Sequence, residues 1–473
     1  MAATSRRSQQ PLLYPQQVQS RPDAERAAFG LRLRQSCPRN AHARWHPPPK
    51  RPDPIALLIA TDKGRLPNLI PLRYGRMMVS PFTFYRGAAA IMAGDLARTP
   101  VTGVNVQACG DCHLLNFGGF ATPERKLIFD INDFDETTIA PWEWDVKRLV
   151  TSFVIAGRAN RFRAADCREA GWWAARRYRE QMAEYAQSPV LDSWYAAIDL
   201  EALAATGTDE HLRTFSRKKV LKATEASEHH HELHKLTHEE GAFPRITDYP
   251  PLVYHEDDVQ KHQRYHRAVE RSFRDYRTTL DPSRRVLLDR YRLVDVAIKV
   301  VGVGSVGTQC GVALFISGND EPLFLQFKEA RESVLEAYAG RSAYKHRGQR
   351  VVVGQRVMQA ASDIFLGWTI GVDGRHLYVR QLSDVKIKPM VEVMKPVDLR
   401  NYARACGWAL ARAHTRSGDA VMLSAYMGKG AAFEDAMSAF AVAYADQNER
   451  DYAKLIAAIR AGRIEADSDS ANR

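Results

Sequence analysis

The chain has 473 residues, enough for two or three domains, and its 45% hydrophobic and 26% charged content is ordinary for a soluble globular protein. No uninterrupted apolar run is long enough for a membrane-spanning helix, which argues against an integral membrane protein. Lysine and arginine outnumber aspartate and glutamate by 67 to 55, but they are spread along the whole chain. The excess therefore favours phosphate-bearing ligands as much as nucleic acid, for which net charge is the sole indication.

Residues 1–22 are polar, rich in Gln and Ser, and without periodicity, which predicts a disordered leader. They contain no apolar core of a signal peptide, and six cysteines in so long a chain are typical of reduced thiols. We therefore expect a cytoplasmic protein. Farther on, Ser80-Pro81 opens a helix predicted over Phe82–Arg98. Three arginines near it are either candidate phosphate ligands or structural residues: Arg73, Arg76 and Arg86.

The region 104–150 carries the residues that predict chemistry. Asp111 is followed five positions later by Asn116, and an apolar strand then leads into Asp133. In metal-assisted phosphoryl transfer, one carboxylate orients or deprotonates the attacking hydroxyl, while an amide oxygen and a second carboxylate hold Mg²⁺. We therefore predict that Asp111 is catalytic and that Asn116 and Asp133 are metal ligands. Asp135 is a further carboxylate that assists the metal.

The residues of this loop also match other sequence motifs. Cys109-x-x-Cys112-His113 has the form of a c-type haem attachment site, and Cys-x-x-Cys alone can be a redox pair. Asp111 and Asn116 can also cap a turn without any chemistry. A rival catalytic loop contains Asp419, but Ser424 stands five positions later where a metal-binding Asn is needed.

Three segments resemble, in order, the catalytic loop, the metal-binding strand end and the following helix of the protein-kinase-like phosphotransferases, especially aminoglycoside and choline kinases. They are Gly110-Asp111-Cys112-His113-Leu114-Leu115-Asn116, Asn132-Asp133-Phe134 and Asp145-Val146-Lys147. The resemblance implies a two-lobe fold that binds ATP and Mg²⁺. That branch usually has His where this chain has Cys109, so a loop-anchoring imidazole is missing. After the leader, nearly the whole chain also resembles the bacterial domain-of-unknown-function family numbered 2252, beginning with Arg73–Met77 and Ser80–Gly87.

From Asp145 to about Ala205 the pattern is helical, with a stripe of large side chains that we interpret as core: Trp172, Trp173, Tyr178, Met182 and Tyr185. A charged helical insert, 212–292, either caps the acceptor pocket or is a solvated surface. Within it, His230, His234 and His238 are spaced to share one helix face, which is either a metal face or a polar surface.

A glycine-rich loop follows the strand predicted over Tyr291–Lys299. Its candidate phosphate-binding residues are Gly302, Gly304, Ser305 and Gly307. In a Rossmann fold such a loop opens a helix, whereas in a kinase it turns back into a strand and covers the phosphates. The strand-like run Cys310–Ile316 comes next, which favours the kinase-type hairpin.

The following strand, Leu323–Phe327, ends at Lys328. This is where a kinase places the lysine that binds the α- and β-phosphates. A helix is predicted next, over Arg331–Tyr338. We expect an ion pair from Glu336 on this helix, with Glu332 as the alternative, to hold Lys328 as part of the nucleotide site. The other interpretation of Lys328 is an exposed residue at a strand end.

Two further strand-like runs, Gln349–Gln359 and His376–Gln381, complete a predicted five-stranded lobe, and Leu382–Asp384 lies where a kinase has its hinge. The glycine loop follows Asp111 in the chain, the reverse of the usual order. We therefore predict an α+β, protein-kinase-like two-lobe fold with circularly permuted segments, which requires natural termini that lie close together.

The predicted organisation has five parts. They are the leader at 1–22, a helical lobe with the catalytic and metal loops and the insert at 23–290, a small β-rich nucleotide-binding lobe at 291–384, C-terminal helices packed on the helical lobe at 385–464, and a disordered tail at 465–473. The C-terminal helices include an amphipathic helical pair predicted over 431–464. The predicted function is ATP- and Mg²⁺-dependent phosphoryl transfer to a small molecule or a protein. The alternatives are adenylyl transfer on the same scaffold and a non-catalytic nucleotide-binding regulatory module.

Overall fold

The computed structural model describes residues 21–206, 213, 236–240, 243–255, 259–300, 302–382, 386–387 and 389–467. Nearly all of the predicted leader, the histidines His230 and His234, and the last six residues of the predicted tail lie outside this described part. Within it the fold is a mixed α+β structure with four antiparallel sheets. None of the described helices combines the length and the apolar content that a membrane crossing requires.

The N-terminal part is helical. Its elements are α1 (Asp23–Ser36), α2 (Pro54–Ala60), α3 (Ile70–Met77), α4 (Pro81–Gly87) and α5 (Ala89–Leu96), with short 3₁₀ turns at Arg39–Ala43 and Pro67–Leu69. The helix predicted over Phe82–Arg98 begins as expected, because Ser80 and Thr83 form a reciprocal capping box. It is, however, two helices, since the backbone leaves the helical region at Ala88.

The middle part carries the predicted catalytic and metal loops. In order it contains β1 (Asn105–Ala108), a 3₁₀ turn (Leu114–Asn116), β2 (Phe117–Ala121), β3 (Leu127–Ile131), β4 (Thr138–Pro141), α6 (Trp142–Ala159), α7 (Ala164–Tyr185), α8 (Val190–Tyr195), β5 (Ile198–Asp199) and α9 (Leu200–Thr206). Strands β1 and β4 pair with each other, while β2 and β3 form the centre of a four-stranded sheet. Of the predicted core stripe on α7, Tyr178, Met182 and Tyr185 are buried, whereas Trp172 and Trp173 are half-buried beneath Arg176.

The described part of the insert is not wholly helical. It contains β6 (Thr237–Glu240), β7 (Phe243–Ile246) and β8 (Val253–Tyr254) before α10 (Val259–Thr278) and α11 (Pro282–Leu288). His238 lies in β6, opposite Arg245 in the β6–β7 hairpin. The prediction that His238 belongs to a helical histidine face was therefore wrong.

The largest sheet has six antiparallel strands in the order β12-β13-β11-β10-β9-β8. Its remaining members are β9 (Tyr291–Lys299), β10 (Cys310–Ser317), β11 (Pro322–Glu329), β12 (Gly367–Ile370) and β13 (His376–Gln381). Four of the five predicted strands are thus present, β12 was missed, and β8 from the insert adds the sixth. The helix expected over 331–338 is a single turn, α12 (Glu336–Ala339).

The run Gln349–Gln359, predicted as a strand, is helix α13 (Arg347–Met358). Its valines favour a strand, but their tertiary context decides the conformation. The His346 side chain accepts from the Gln349 amide and caps the helix, and Val351, Val352 and Gln355 turn one buried face inward at helical spacing. Helix α13 lies against the sheet and beside β1 and β4.

The C-terminal part begins with β14 (Lys386–Ile387), which pairs with β2, and a 3₁₀ turn at Val391–Val393. Three helices follow: α14 (Pro396–Thr415), α15 (Ala420–Met427) and α16 (Ala432–Arg460). The helical pair predicted over 431–464 is therefore one long helix. Helix α14 packs along α7, where Gly407 approaches the Ala174 carbonyl so closely that a Cβ would lie 2.2 Å from it.

Candidate functional site

The predicted catalytic loop is hydrogen-bonded to Asp145, a buried residue in the first turn of α6. Its carboxylate accepts hydrogen bonds from the backbone amides of Cys109, at 2.6 Å, and Gly110, at 2.9 Å. Gly110 has a φ of 84°, and a Cβ there would lie 2.2 Å from the carbonyl oxygen of Glu136. Only glycine fits this turn without strain. The loop conformation is therefore fixed by Gly110 and by the Asp145 carboxylate.

Helix α14 supplies an imidazole that the local sequence lacks. His414 is fully buried, with Nε2 at 3.2 Å from Asp145 Oδ2 and Nδ1 at 2.9 Å from the Tyr178 hydroxyl. The kinase resemblance places a loop-anchoring His at the position of Cys109. Here a His from a distant helix contacts the same loop through Asp145. The sequence carried no signal for this contact, because His414 stands at the end of a helix, 269 residues after Asp145.

The side chain of Asp111 is oriented by Arg148. The Arg148 Nε donates to Asp111 Oδ1 at 2.6 Å. Burial lowers the pKa of this guanidinium, but Asp111 and Tyr85 together raise it, and the net shift is upward. His113 lies beside the other oxygen, with Nε2 at 3.8 Å from Oδ2, and burial lowers its pKa to about 3. The imidazole is therefore neutral near pH 7. The sequence analysis missed Arg148, which follows Asp145 by three residues on α6.

The amide of Asn116 is also oriented. Its Nδ2 donates to the backbone carbonyl of Asp111 at 2.7 Å, which leaves the side-chain oxygen directed away from that bond. Asn116 and Asp133 line the same cavity, because Asn116 directly precedes β2, Asp133 closely follows β3, and these two strands pair residue by residue. An amide oxygen and a carboxylate are therefore presented to one space, which suits the hard-oxygen preference of Mg²⁺.

Lys328 lies between the two predicted metal-site carboxylates. Its Nζ is 2.7 Å from Asp135 Oδ2 and 3.7 Å from Asp133 Oδ2, and the lysine side chain is buried. Burial lowers the pKa of Lys328, whereas Asp133, Asp135 and Tyr378 raise it. The resulting pKa of Lys328 is well above its ordinary value. Asp135 also accepts from Tyr378, at 2.6 Å, and from Ser305, at 3.2 Å. The Asp135 carboxylate therefore contacts side chains from strand β11, from strand β13 and from the glycine loop.

The glycine-rich loop connects β9 and β10 and is hydrogen-bonded to the N-terminal helical part of the chain. The Arg76 guanidinium donates to the Gly302 carbonyl at 2.5 Å, and the Leu66 amide donates to the Gly307 carbonyl at 2.7 Å. Gly302 and Gly307 have φ values of 71° and 83°, the left-handed region that favours glycine. Residues Gly302, Gly304 and Ser305 face the cavity. Gly307 instead lies against the Arg65 side chain.

The cavity between these elements has a volume of about 790 Å³. Asp111, Asn116, Asp133, Asp135 and the glycine loop line it, together with six arginines. Those arginines are Arg65, Arg73, Arg86, Arg331, Arg347 and Arg375. Residues from positions 61 to 375 therefore meet in one cleft that carries both carboxylates and guanidinium groups, a combination suited to a metal–phosphate ligand.

A family model described as an uncharacterized protein conserved in bacteria, DUF2252, matches residues 65–458. This chain belongs to the DUF2252 family. The matched range contains every predicted site residue, from Asp111 to Glu336. No curated protein and no solved structure matches the chain. The chemistry of the site must therefore be argued from the residues of this DUF2252 member.

The predicted ion pair between Lys328 and Glu336 is absent from the described residues of this DUF2252 protein. Glu336 accepts from the amides of Ser333 and Ser342, both at 3.1 Å, and lies 3.5 Å from Arg350 Nε. The alternative, Glu332, pairs with Arg347 at 2.6 Å. Lys328 is held by Asp133 and Asp135 instead. Glu336, on the single turn of α12, lies beside Arg350 of α13.

Arg350 on α13 is a further residue that the sequence analysis missed. It is buried and donates to the carbonyls of Asp135, at 2.9 Å, and Arg331, at 2.8 Å, and also to that of Thr137. A cation directly before the run Val351–Val353 was the available signal, but the strand interpretation of that run concealed it. Arg350 connects the position of α13 to the metal loop.

The two loop cysteines belong to the core. Cys109 and Cys112 are fully buried free thiols, and burial raises the pKa of Cys112 well above its ordinary value. Cys109 Sγ donates to the Asp133 carbonyl at 3.4 Å, so it supports the metal loop. Over the part of the chain that the structure describes, no three His, Cys, Asp or Glu side chains are grouped as a metal cage.

Proposed function

We propose that this DUF2252 protein is a kinase-like phosphotransferase that transfers the γ-phosphoryl group of ATP, with Mg²⁺, to a hydroxylated or aminated acceptor. The observation that carries the proposal is the ion pair between Lys328 and Asp135. These residues are 193 positions apart, yet the Lys328 Nζ is 2.7 Å from Asp135 and 3.7 Å from Asp133. A phosphate-binding lysine beside a metal-binding carboxylate is the arrangement that kinase-type catalysis requires.

The order of elements in the six-stranded sheet supports a kinase-like lobe. The glycine loop joins β9 to β10, Lys328 is on the next strand, β11, and helix α13 follows before β12 and β13. In protein kinases the glycine loop, the lysine of the third strand and the following helix come in this order. Because Asp111 and Asp133 precede this lobe in the chain, we propose that the two lobes are circularly permuted.

The residues present suit Mg²⁺ and a triphosphate. Mg²⁺ is bound in such sites by one or two carboxylates together with phosphate oxygens and water, so Asn116 and Asp133 are sufficient as its protein ligands, with Asp135 assisting. When bound, the ion would supply positive charge that neutralises the negative charge developing on the phosphoryl group. Lys328 would exchange part of its contact with Asp135 for the α- and β-phosphates. Gly302, Gly304 and Ser305 line the space that the triphosphate would occupy.

A second cavity, of about 580 Å³, offers space for the base. Asn132, Gln326, Gln381 and Leu382 line it. Asn132 precedes Asp133, and Gln326 is two residues before Lys328 on the same face of β11, so this cavity lies next to the phosphate site. Leu382 begins the predicted hinge, whereas residues 383 and 384 lie outside the described part of the chain.

The transfer step follows from these positions. The acceptor oxygen or nitrogen forms a bond to the γ-phosphorus while the bond from that phosphorus to the β–γ bridging oxygen breaks, and ADP leaves with the electron pair. The proton of the acceptor passes to the Asp111 carboxylate and from there to solvent. Arg148 keeps Asp111 in the orientation that this proton transfer needs.

The direct test is product analysis after incubation with Mg²⁺ and ATP, using a panel of small hydroxylated and aminated acceptors. Phosphoryl transfer yields ADP, whereas adenylyl transfer would attach AMP to the acceptor and release pyrophosphate. We expect ADP from the wild type, none above background from Asp111→Asn, and wild-type yield from Asp166→Asn, whose carboxylate forms a surface pair with Arg163. Acceptor-bound AMP and pyrophosphate as the sole products would contradict the proposal.

A further inference from the structure

Arg86 is the one arginine of the large cavity without a protein acceptor among the described residues. It lies in the last turn of α4, and its Nε is buried without a hydrogen-bond partner. The other five cavity arginines each donate to a protein oxygen: Arg65, Arg73, Arg331, Arg347 and Arg375. Arg86 as a whole is half-buried and lines the cavity, while its Nε–H is buried without an acceptor, which is costly. Arg86 is therefore built to receive an anion.

The position of Arg86 identifies which anion this is. Burial lowers its pKa, and the carboxylates of Asp111, Glu392 and Asp133 oppose that shift without forming an ion pair within 4.0 Å among the described residues. On its other side, a Cβ built on Gly304 would lie 3.5 Å from the Arg86 carbonyl oxygen, so Arg86 is adjacent to the tip of the glycine loop. Arg86 thus stands between that tip, the proposed catalytic Asp111 and the proposed metal ligand Asp133.

We propose that Arg86 is a catalytic residue that binds the γ-phosphoryl group during its transfer. This inference rests on the proposed function and assigns a transition-state contact within the same site. As the bond to the bridging oxygen breaks and the bond to the acceptor forms, the planar guanidinium donates to the equatorial phosphoryl oxygens and keeps all of its protons. An arginine in this role, supplied by the chain itself, raises the rate of phosphoryl transfer by about 10³- to 10⁵-fold in other phosphotransferases.

The experiment measures the affinity for Mg·ADP by calorimetry with and without aluminium fluoride, which imitates the phosphoryl group in transfer. We expect aluminium fluoride to tighten binding of Mg·ADP to the wild type. Arg86→Ala and Arg86→Lys should bind Mg·ADP alone within about threefold of the wild type but lose most of the tightening, a change of about 100-fold, since a transition-state contact is missing. Arg163→Ala is the control, because it removes an exposed arginine that pairs with Asp166 and does not line the cavity, so it should keep the tightening.

Three outcomes would overturn the inference. If Arg86→Lys retains the wild-type tightening, the guanidinium does not contact the phosphoryl group and binds an anion of the acceptor instead. If Arg86→Lys, checked for folding by its melting curve, loses Mg·ADP binding as severely as the tightened binding, Arg86 supports the site as a whole. If the wild type binds no Mg·ADP, the proposed function fails and this inference fails with it, a result distinct from the first two.

Discussion

Replacing Asp145 tests whether the buried carboxylate under the catalytic loop supports the site as described. Asp145→Ala removes the acceptor of two backbone amides, at 2.6 and 2.9 Å, and leaves both donors and His414 Nε2 without it. Hydrogen bonds to a charged group contribute about 1.5–3 kcal/mol each, and unsatisfied buried donors lose that contribution in full. We therefore expect the free energy of unfolding to fall by about 3–6 kcal/mol, a large fraction of the roughly 5–15 kcal/mol typical of a folded domain.

The assay is urea unfolding followed by circular dichroism, with Asp145→Asn and Asp166→Ala in parallel. Asp145→Asn keeps one acceptor oxygen, so its loss should be about half of that in Asp145→Ala. Asp166 forms an exposed pair with Arg163, and its replacement should not change the urea midpoint measurably. The reasoning is refuted if Asp145→Ala unfolds at the same urea concentration as Asp166→Ala.

Three further perturbations test separate parts of the site. Gly110→Ala should lower the free energy of unfolding by about 2 kcal/mol or more, because its φ is 84° and the new Cβ would meet the Glu136 carbonyl at 2.2 Å; an unchanged melting temperature would contradict this. Burial lowers the pKa of His113 to about 3, against about 6.5 when unfolded, so between pH 6.5 and 3 only the unfolded chain gains this proton and stability falls as pH falls. His113→Asn should reduce that slope in urea titrations at several pH values, and an identical slope would refute the assignment. Arg350→Ala should lower stability by about 3 kcal/mol and weaken nucleotide binding, since it removes the donors to the Asp135 and Arg331 carbonyls, whereas Arg347→Ala should leave stability unchanged.

The local order of residues was enough to predict the loops that carry the site. Asp111, Asn116 and Asp133 stand close together in the chain, and their positions depend on short-range geometry: a glycine turn, a 3₁₀ turn and a strand end. The position of Lys328 near the end of a strand was predictable because a strand, a glycine loop and a second strand precede it. These features follow from turn chemistry and alternation of apolar residues, which a single sequence displays directly.

The partners of these residues were not predictable in the same way. His414, Arg148 and Arg350 support the loops through contacts across many residues, and nothing in their immediate neighbours indicates which loop they contact. The expected Lys328–Glu336 pair failed for the same reason, because the chain after β11 forms one helical turn and then α13 where a strand was predicted. In helix α13, tertiary context overrides the β-propensity of the valines. One such tertiary contact is that of Gly348 with strand β13, where a Cβ would lie 2.3 Å from the Leu377 carbonyl oxygen.

Calorimetric titration of ATP with and without Mg²⁺, on the wild type, Asp133→Ala and Asp166→Ala, tests the nucleotide site most directly. We expect binding that requires Mg²⁺ in the wild type and in Asp166→Ala, and loss of that binding in Asp133→Ala, because Asp133 is the proposed metal ligand beside Lys328. Absence of ATP binding to the wild type, or equal Mg²⁺-dependent binding by Asp133→Ala, would contradict the assignment of this cleft as a kinase-like active site.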